Sequence, residues 1–396
     1  MQKPMQELSP MSTLYSQYRG RSSACALAVA LVLSTPVAPL YAQAPAKPAA
    51  AANKASTKPW VLPRTLDGKP DLQGNWTNET QTPFERMGNQ GPTLTEAQAA
   101  ALEKRAADVQ EFRDRPTDPN EKATGPVGNE LAAVAGEPTF VERIAQAAGG
   151  NVGGYNGFWL EPGNRVVRID GVARSSIVTD PPNGRIPGTT AEAKQRTAER
   201  AAQAKKSGPL DGPENASLSD RCLTSFGSNA GPPMLPNYFY NNNYTIVQTK
   251  DNVMIMTEMV HDVRIIRIGA KEHLPAKITP WFGDSIGHWE GDTLVVETTN
   301  IHPTQLGQSG GLGPFRGASD KVKVTERFSR TGATVLNYKF TIEDPSTFTA
   351  SYGGELPFNR INEPVYEYAC AEGNYALPAM LAGARADERA KAEPKK

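Results

Sequence analysis

The sequence predicts a mainly β fold, an antiparallel lipocalin-like barrel or a barrel-like sandwich with peripheral helices. Three observations predict it. From Tyr244 onward the chain is a succession of short runs rich in Val, Ile, Thr and Tyr. Such residues fit a pleated, half-buried surface. Turn signals separate the runs, and no long crossover helix lies between them, which argues for antiparallel pairing. Several runs also alternate apolar with polar residues, the period of a sheet with one buried face. A long curled sheet of this kind manages its edges by closing or by packing as two layers.

The chain opens outside this fold. Arg19 and Arg21 precede the apolar run Ala24 to Leu33, and Ala42-Gln43-Ala44 follows. That order is the pattern of a secretory signal peptide, and the apolar run is too short for a lasting membrane span. Residues 1–44 are expected to be removed on export, to the periplasm or out of the cell. Residues 45–59 read as a flexible Ala/Pro/Lys tether without core-forming residues. Roughly 335 residues remain from Trp60, which suits one large domain, expected over 60–385. Residues 386–396 read as a disordered tail.

Within the domain, Trp60 to Arg86 is turn-rich, with Asp67-Gly68 and Lys69-Pro70 as turn signals. Leu72 to Asn78 is a short opening strand carrying Trp76. Two Ala-rich runs, near 95–112 and 189–206, have helix-favouring composition. Both are polar on most faces, so they lie over a core instead of forming it. Five glycines fall between Gly149 and Gly157. No GxxxxGK[ST] pattern follows, so they read as a loop and not a phosphate cradle. Phe158 to Pro182 reads as short strands broken at Pro162-Gly163 and Asp170-Gly171.

The hairpins come next. YTIVQT meets VMIMTEM across Lys250-Asp251-Asn252, and VRIIRI follows a short turn at His261-Asp262. IGHW meets TLVVETT across Glu290-Gly291-Asp292, where Gly-Asp suits a tight turn. KVKVTERFS and ATVLNYKFTI flank Arg330-Thr331-Gly332. Leu336, Tyr338, Phe340 and Ile342 share one face of the last strand, and Val322, Val324, Glu326 and Phe328 share one face of the strand before it. Glu326 intrudes there. By the same count Glu258 falls with Met254, Met256 and Val260, and Glu297 falls with Val295. A carboxylate among apolar neighbours must be paired, hydrogen-bonded or protonated. The three either converge on a polar cavity inside the barrel or pair with Arg264, Arg267 and Arg327 in structural bridges.

Charge and cysteine content bound the partners. Lys plus Arg and Asp plus Glu are 42 each, and no basic stripe is present. This argues against a nucleic-acid partner. Cys25 leaves with the leader. Cys222 and Cys370 remain, and an oxidising compartment favours their pairing over a reactive thiol. The bridge would close a loop of roughly 150 residues, worth about 3–5 kcal/mol.

The stretch EMVHDVRIIRI carries the leading chemical hypothesis. His261 is a candidate general base, with Asp262 or Glu258 orienting its ring. Arg264 is a candidate anchor for a carboxylate or a developing oxyanion. The plain alternative is a turn closed by its own hydrogen bonds. His261, His288 and His302 with Glu297 are ligand types for zinc. No HExxH and no close histidine pair occurs, so no metal is expected. GxSxG is absent, although Ser219, Ser225 and Ser228 lie near Cys222. No nucleotide fingerprint is present and no cofactor is expected.

PPMLPNYFYNNNY, Pro232 to Tyr244, combines aromatics with four asparagines. Rings stack and amides bond hydroxyls, which suits a sugar or phenolic ligand as well as a plain turn. Ile278 to Asp292 repeats the mixture with Trp281 and Trp289. Tyr366 to Met380 adds tyrosines, and a Cys222–Cys370 bridge would draw it toward the asparagine loop. Tyr240, Asn242, His288, Trp289 and Tyr366 are the candidate ligand-lining residues.

YNNNYTIVQT, EMVHDVRIIRI, GHWEGDTLVVETTNIH and YEYACAEGNY, with RTLDGKPDLQGNW at Arg64 to Trp76, resemble segments shared by a family of exported bacterial proteins. The resemblance covers most of the mature chain and implies one integrated β-domain. It implies no substrate. Members often carry a histidine where this chain has Ala371, so any role for that histidine is missing here.

These readings converge on an exported enzyme performing cofactor-independent acid/base chemistry, a lyase or isomerase. Its expected substrate is a small aromatic, terpenoid or sugar-derived molecule. A non-catalytic carrier of an apolar or phenolic ligand would use the same cavity without a poised histidine. An envelope structural protein would need no cavity and would hold Glu297 and Glu326 in surface salt bridges.

Overall fold

The computed structural model describes residues 59–113, 161–208, 210–225, 231–238, 240–308, 315 and 317–392. The leader, the tether through residue 58 and the glycine-rich loop at 149–157 lie outside the described residues.

Among the described residues twelve strands follow in chain order. β1 is Gly74–Thr77, β2 Arg168–Ile169, β3 Val172–Ala173 and β4 Val178–Asp180. The long strands are β5 Asn243–Gln248, β6 Asn252–Thr257, β7 Val263–Ile268, β8 Asp284–Glu290 and β9 Thr293–Thr299. β10 Lys323–Arg330, β11 Val335–Glu343 and β12 Tyr352–Ile361 complete the set. β1 and β5 to β12 pair in that order, and β12 returns to pair with β1, so nine strands close a barrel. β4 adds to β12 outside the ring, and β2 with β3 forms a separate small hairpin.

Antiparallel pairing is corrected at one position. β7 and β8 run parallel, so the barrel is mixed. A parallel pair needs a connection that carries the chain back to its starting end, and residues 269–283 do this. The registers then define two mouths. The β6–β7 turn and the end of β1 lie at one, here the upper mouth. The β5–β6, β8–β9 and β10–β11 turns and the end of β12 lie at the other, the lower mouth.

Alternation sets what fills the lumen. Leu336, Tyr338, Phe340 and Ile342 of β11 are buried inward, facing Val324, Glu326 and Phe328 of β10. Tyr338 sits 5.0 Å from Phe328 and 5.1 Å from Phe358, ring centre to ring centre. Tyr244 lies 5.2 Å from Phe358. The lumen at this level is packed side chain, as in other small barrels. Two expected faces are reversed. Val253, Ile255 and Thr257 point inward and Met254 and Met256 outward, while Leu294, Val296 and Thr298 point inward and Val295 and Glu297 outward. VMIMT and LVV are apolar on both parities, so period alone could not choose the buried face.

Of the three intruding carboxylates, only Glu326 lies in the lumen. It is fully buried, and Arg264 of β7 is only 5% exposed. Arg264 donates through Nη1 to Glu326 Oε2 and through Nη2 to Glu326 Oε1 at 2.9 Å. The Tyr338 hydroxyl donates to Glu326 Oε1 at 2.7 Å and accepts from the Met234 N–H at 2.9 Å. Burial alone pulls the Arg264 guanidinium down, and the Glu326 carboxylate more than offsets it, leaving Arg264 above its ordinary value.

Among the described residues four helices lie outside the barrel: α1 Glu96–Arg113, α2 Ala191–Ala204, α3 Pro303–Gln308 and α4 Ala376–Ala392. Ala99 of α1 packs with Val166 and Ala173. Thr190 caps α2, its hydroxyl accepting from the Ala193 N–H at 3.1 Å. The expectation of a tail without structure over 386–396 is corrected as far as Ala392, where α4 ends. Its Ala/Arg/Glu content favours helix, and Arg385 pins it by donating to the carbonyls of Leu210 and Asp211, each at 2.9 Å. Among the described residues no helix is long and apolar enough to cross a membrane.

Removing one partner of the lumen pair leaves the other charged and buried. Glu326→Ala is expected to cost about 3–5 kcal/mol in urea unfolding. Replacing both partners with apolar residues, Arg264→Met with Glu326→Leu, should recover more than half of that loss.

Candidate functional site

The upper mouth collects the residues of the β6–β7 turn. The Thr257 N–H donates to the Asp262 carbonyl at 2.9 Å, and the Glu258 N–H donates to the Asn243 carbonyl at 3.0 Å. Between them Val260 (φ 65°) and His261 (φ 46°) are left-handed. A β-branched residue in that region is strained, by about 1–3 kcal/mol, and such strain gathers at functional sites.

Each side chain of the turn has a distinct environment. Glu258 is 4% exposed, and its Oε2 accepts from Asn243 Nδ2 at 2.8 Å. Burial pushes its carboxyl up, hydrogen bonds from Asn243 and Asn241 oppose this, and the nearby Glu161 adds to the rise. The His261 ring is exposed, with Nδ1 at 3.0 Å from the Tyr368 carbonyl. A carbonyl only accepts, so Nδ1 is the donor and Nε2 is the basic nitrogen of the neutral ring. Burial pushes the Asp262 carboxyl up to about 6, partly countered by His261. Its Oδ2 is buried and has no hydrogen-bond partner among the described residues.

Tyr368 reaches His261 because a disulfide holds its segment. Cys222 and Cys370 are bonded, with Cα atoms 5.6 Å apart across a sequence separation of 148. Asn374 secures the same strap by donating from Nδ2 to the Asp220 carbonyl at 3.0 Å. The strap thus runs from the end of β12 past the His261 ring and into α4.

The asparagine loop abuts this turn, but much of its polarity is spent internally. Asn242 is 1% exposed; its Oδ1 accepts from the Asn237 N–H at 2.9 Å and its Nδ2 donates to the Glu161 carbonyl at 3.2 Å. Asn242 therefore shapes the loop and does not face a ligand. Tyr240 is half-buried, with its backbone clamped on both sides by Asn237. Tyr366 is 76% exposed, two residues from Tyr368.

Three expected site residues lie elsewhere. Arg264 belongs to the lumen pair and both its terminal nitrogens bind Glu326, so it is no anchor for a substrate at the rim. His288 and Trp289 sit at the lower mouth. Gly287 already pairs with Ile268, the last residue of β7, whereas His261 precedes the first. His288 is exposed and its Nε2 is 3.2 Å from Glu290 Oε1.

The histidines do not converge either. His302 packs tilted against Trp281, with ring centres 4.2 Å apart. His273 lies between Asp284 and Glu297 on the outer wall, 2.8 and 3.3 Å away. Asp284 is buried there and also accepts from Arg267 and from the Leu274 N–H. Burial would raise its carboxyl, but the bonds from Leu274, His273 and Arg267 hold it below its ordinary value. This cluster fastens the crossover connection 269–283 to the barrel. The sequence carried no signal for it beyond residue types. Among the described residues no group of three or more His, Cys, Asp or Glu side chains could hold a metal ion.

No protein-family model matches the chain, and no curated protein matches it.

Two outcomes follow from this geometry. Asp262 titrates near 6 in the folded chain against 3.8 ordinarily. The charged form is disfavoured by folding, so stability is lost as pH rises through that interval. Asp262→Asn should therefore be more stable than the parent at pH 8 by on the order of 1–3 kcal/mol, with little difference near pH 4. Urea unfolding at both values checks this. Cys370→Ser should lower stability by about 3–5 kcal/mol. It should also shift the His261 ring resonances, because the Tyr368 carbonyl is no longer held against Nδ1; unmoved resonances would show that the strap stays in place without the bridge.

Proposed function

We propose that the chain is an exported enzyme that moves protons on a small molecule bound at the upper rim, by lyase or isomerase chemistry and without a cofactor. One observation carries this reading. A strained turn sets an imidazole with a fixed tautomer beside Asp262, a carboxyl lifted to about 6. Acid and base groups work best with pKa values near the operating pH, and burial is the usual means of tuning a carboxyl there.

The roles follow from these environments. His261 Nε2 takes a proton from an activated C–H of the substrate. Asp262, in its protonated form, returns one to the leaving oxygen or to a neighbouring carbon. Glu258 holds the turn to Asn243 and keeps a second carboxyl in reserve behind the rim. Tyr240 and Tyr366 supply aromatic surface in segments that approach this turn, which suits a phenolic, terpenoid or sugar-derived substrate. The disulfide and the leader pattern both support export to an oxidising compartment. A carrier that encloses its ligand in the lumen is less favoured, because Tyr338, Phe328 and Phe358 pack there.

Solvent-deuterium incorporation tests the reading without knowledge of the product. The protein would be incubated in D2O with a panel of phenolic glycosides, terpenoid carbonyl compounds and uronates, followed by mass spectrometry. Uptake or elimination is expected with at least one class. Asp262→Asn and His261→Ala should each slow it by at least about 100-fold. The rate should fall as pH rises through about 6, because the acid form of Asp262 is lost. Turnover that survives both substitutions would sink the assignment.

A further inference from the structure

The lower mouth presents a different chemistry. The last lumen-facing positions of β10 and β12 are both arginine, Arg330 and Arg360. Each guanidinium lies over the Trp76 ring, at 5.5 Å for Arg330 and 5.8 Å for Arg360. Trp76 is fully buried and stands directly across from Arg360 in the β1–β12 pair. One indole thus packs against two cations.

Neither cation is neutralised there. Arg330 is 9% exposed, and its terminal nitrogens donate to two backbone carbonyls, Asp71 at 3.0 Å and Ala333 at 2.6 Å. Its Nε is buried with no hydrogen-bond partner among the described residues. The Asp71 carboxylate is near enough to help, but its Oδ1 accepts from the N–H and the side-chain amide of Gln73. Arg360 is exposed and ion-pairs with no carboxylate among the described residues. Burial and the Arg360 charge together pull the Arg330 guanidinium below its ordinary value.

Gly74 fixes the position of Arg360. A Cβ at Gly74 would meet Arg360 Cζ and Nη2 at 3.3 Å, tighter than ordinary contact. The absence of a side chain at Gly74 lets the guanidinium lie flat against the β1 backbone. Two like charges against one ring are unfavourable, as the Arg360 charge acting on Arg330 indicates, and the contact with the indole returns only about 0.5–2 kcal/mol per cation. An oxyanion between them would offset the repulsion, and the arginine fork matches its geometry.

We propose that the lower mouth binds a small oxyanion, a carboxylate or phosphate group, between Arg330 and Arg360 above Trp76. This site is distinct from the His261 rim, and it stands whether or not the rim is catalytic. The group belongs to a free solute or to a pendant chain of a larger ligand, and the shared chemistry is the planar or tetrahedral oxyanion itself.

Titration of the purified protein with inorganic phosphate and with benzoate tests the proposal, with chloride at matched ionic strength as control. Calorimetry would follow binding, and the Trp76 indole N–H resonance would report its place. Saturable binding of at least one probe is expected, with a shift of that resonance. Arg360→Gln should weaken it at least about tenfold, as expected for loss of a charged hydrogen-bond donor. Arg360→Lys, which keeps the charge and loses the fork, should fall between. Without anion, Arg360→Gln should be as stable as the parent or more so, because it relieves Arg330. Lack of saturable binding by both probes would overturn the proposal. So would equal binding by Arg360→Gln, or a loss of anion-free stability in that variant, which would make Arg360 a structural residue.

Discussion

The ion pair between Arg264 and Glu326 is the constraint on which the rest of the barrel depends. The two residues stand on β7 and β10, with β8 and β9 between them in the sheet. The pair therefore crosses the lumen and does not bridge neighbouring strands. Taking both charges out of water is costly, and only the two-point contact and the Tyr338 hydroxyl make it tolerable. That cost gives the pair its power to select a register. A one-residue slip of β10 would turn Glu326 outward and bring Thr325 or Arg327 to the inner face. Arg264 would then face a hydroxyl or another cation in a dry interior. The pair adds little net stability over an apolar core, but it penalises the nearest wrong arrangements severely.

With the centre of the barrel filled, the two mouths become separate surfaces. The upper mouth is shaped by strain and a covalent strap. Val260 and His261 hold left-handed conformations because hydrogen bonds on both sides of the turn fix its ends. The strap that meets His261 is held by Cys370 two residues away, so the ring's tautomer depends on a bond to a segment 148 residues distant in sequence. Local strain and a long-range tether thus act on one imidazole.

How far the sequence was legible depended on whether a strand's two faces differ in polarity. In β10 and β11 one face is apolar and the other polar, so the inward set and the intrusion of Glu326 were readable directly. In β6 and the middle of β9 both faces are apolar, and the assignment of Met254, Met256 and Val295 to the core reversed. VRIIRI carries one arginine on each face, so parity gave no reason to prefer Arg264 as the buried one. Its partner three strands along the sheet decided it. His288 and Trp289 were grouped with His261 because they share polar, aromatic surroundings; only the direction of β8 separates them. A parallel strand after a 269–283 crossover has no local signature. His261, Asp262 and Glu258 lie in one turn at the upper mouth, because a turn keeps sequence neighbours together. The pairing of Cys222 with Cys370 was readable because few alternatives existed.

The charge distribution along the barrel axis follows from these placements. Arg264 and Glu326 cancel at the centre. Above them lie Glu258, Asp262 and Glu161, with the first two carboxyls pushed toward their neutral forms by burial. Below them lie Arg330 and Arg360 over Trp76. The field of these groups therefore opposes a carboxylate at the upper rim once Asp262 ionises and favours one at the lower mouth. A neutral, hydroxylated or aromatic molecule meets no such penalty above. Since the lumen between is packed, neither can pass through to the other end. The barrel thus carries acidic groups at one mouth and cations at the other, with the buried ion pair between them.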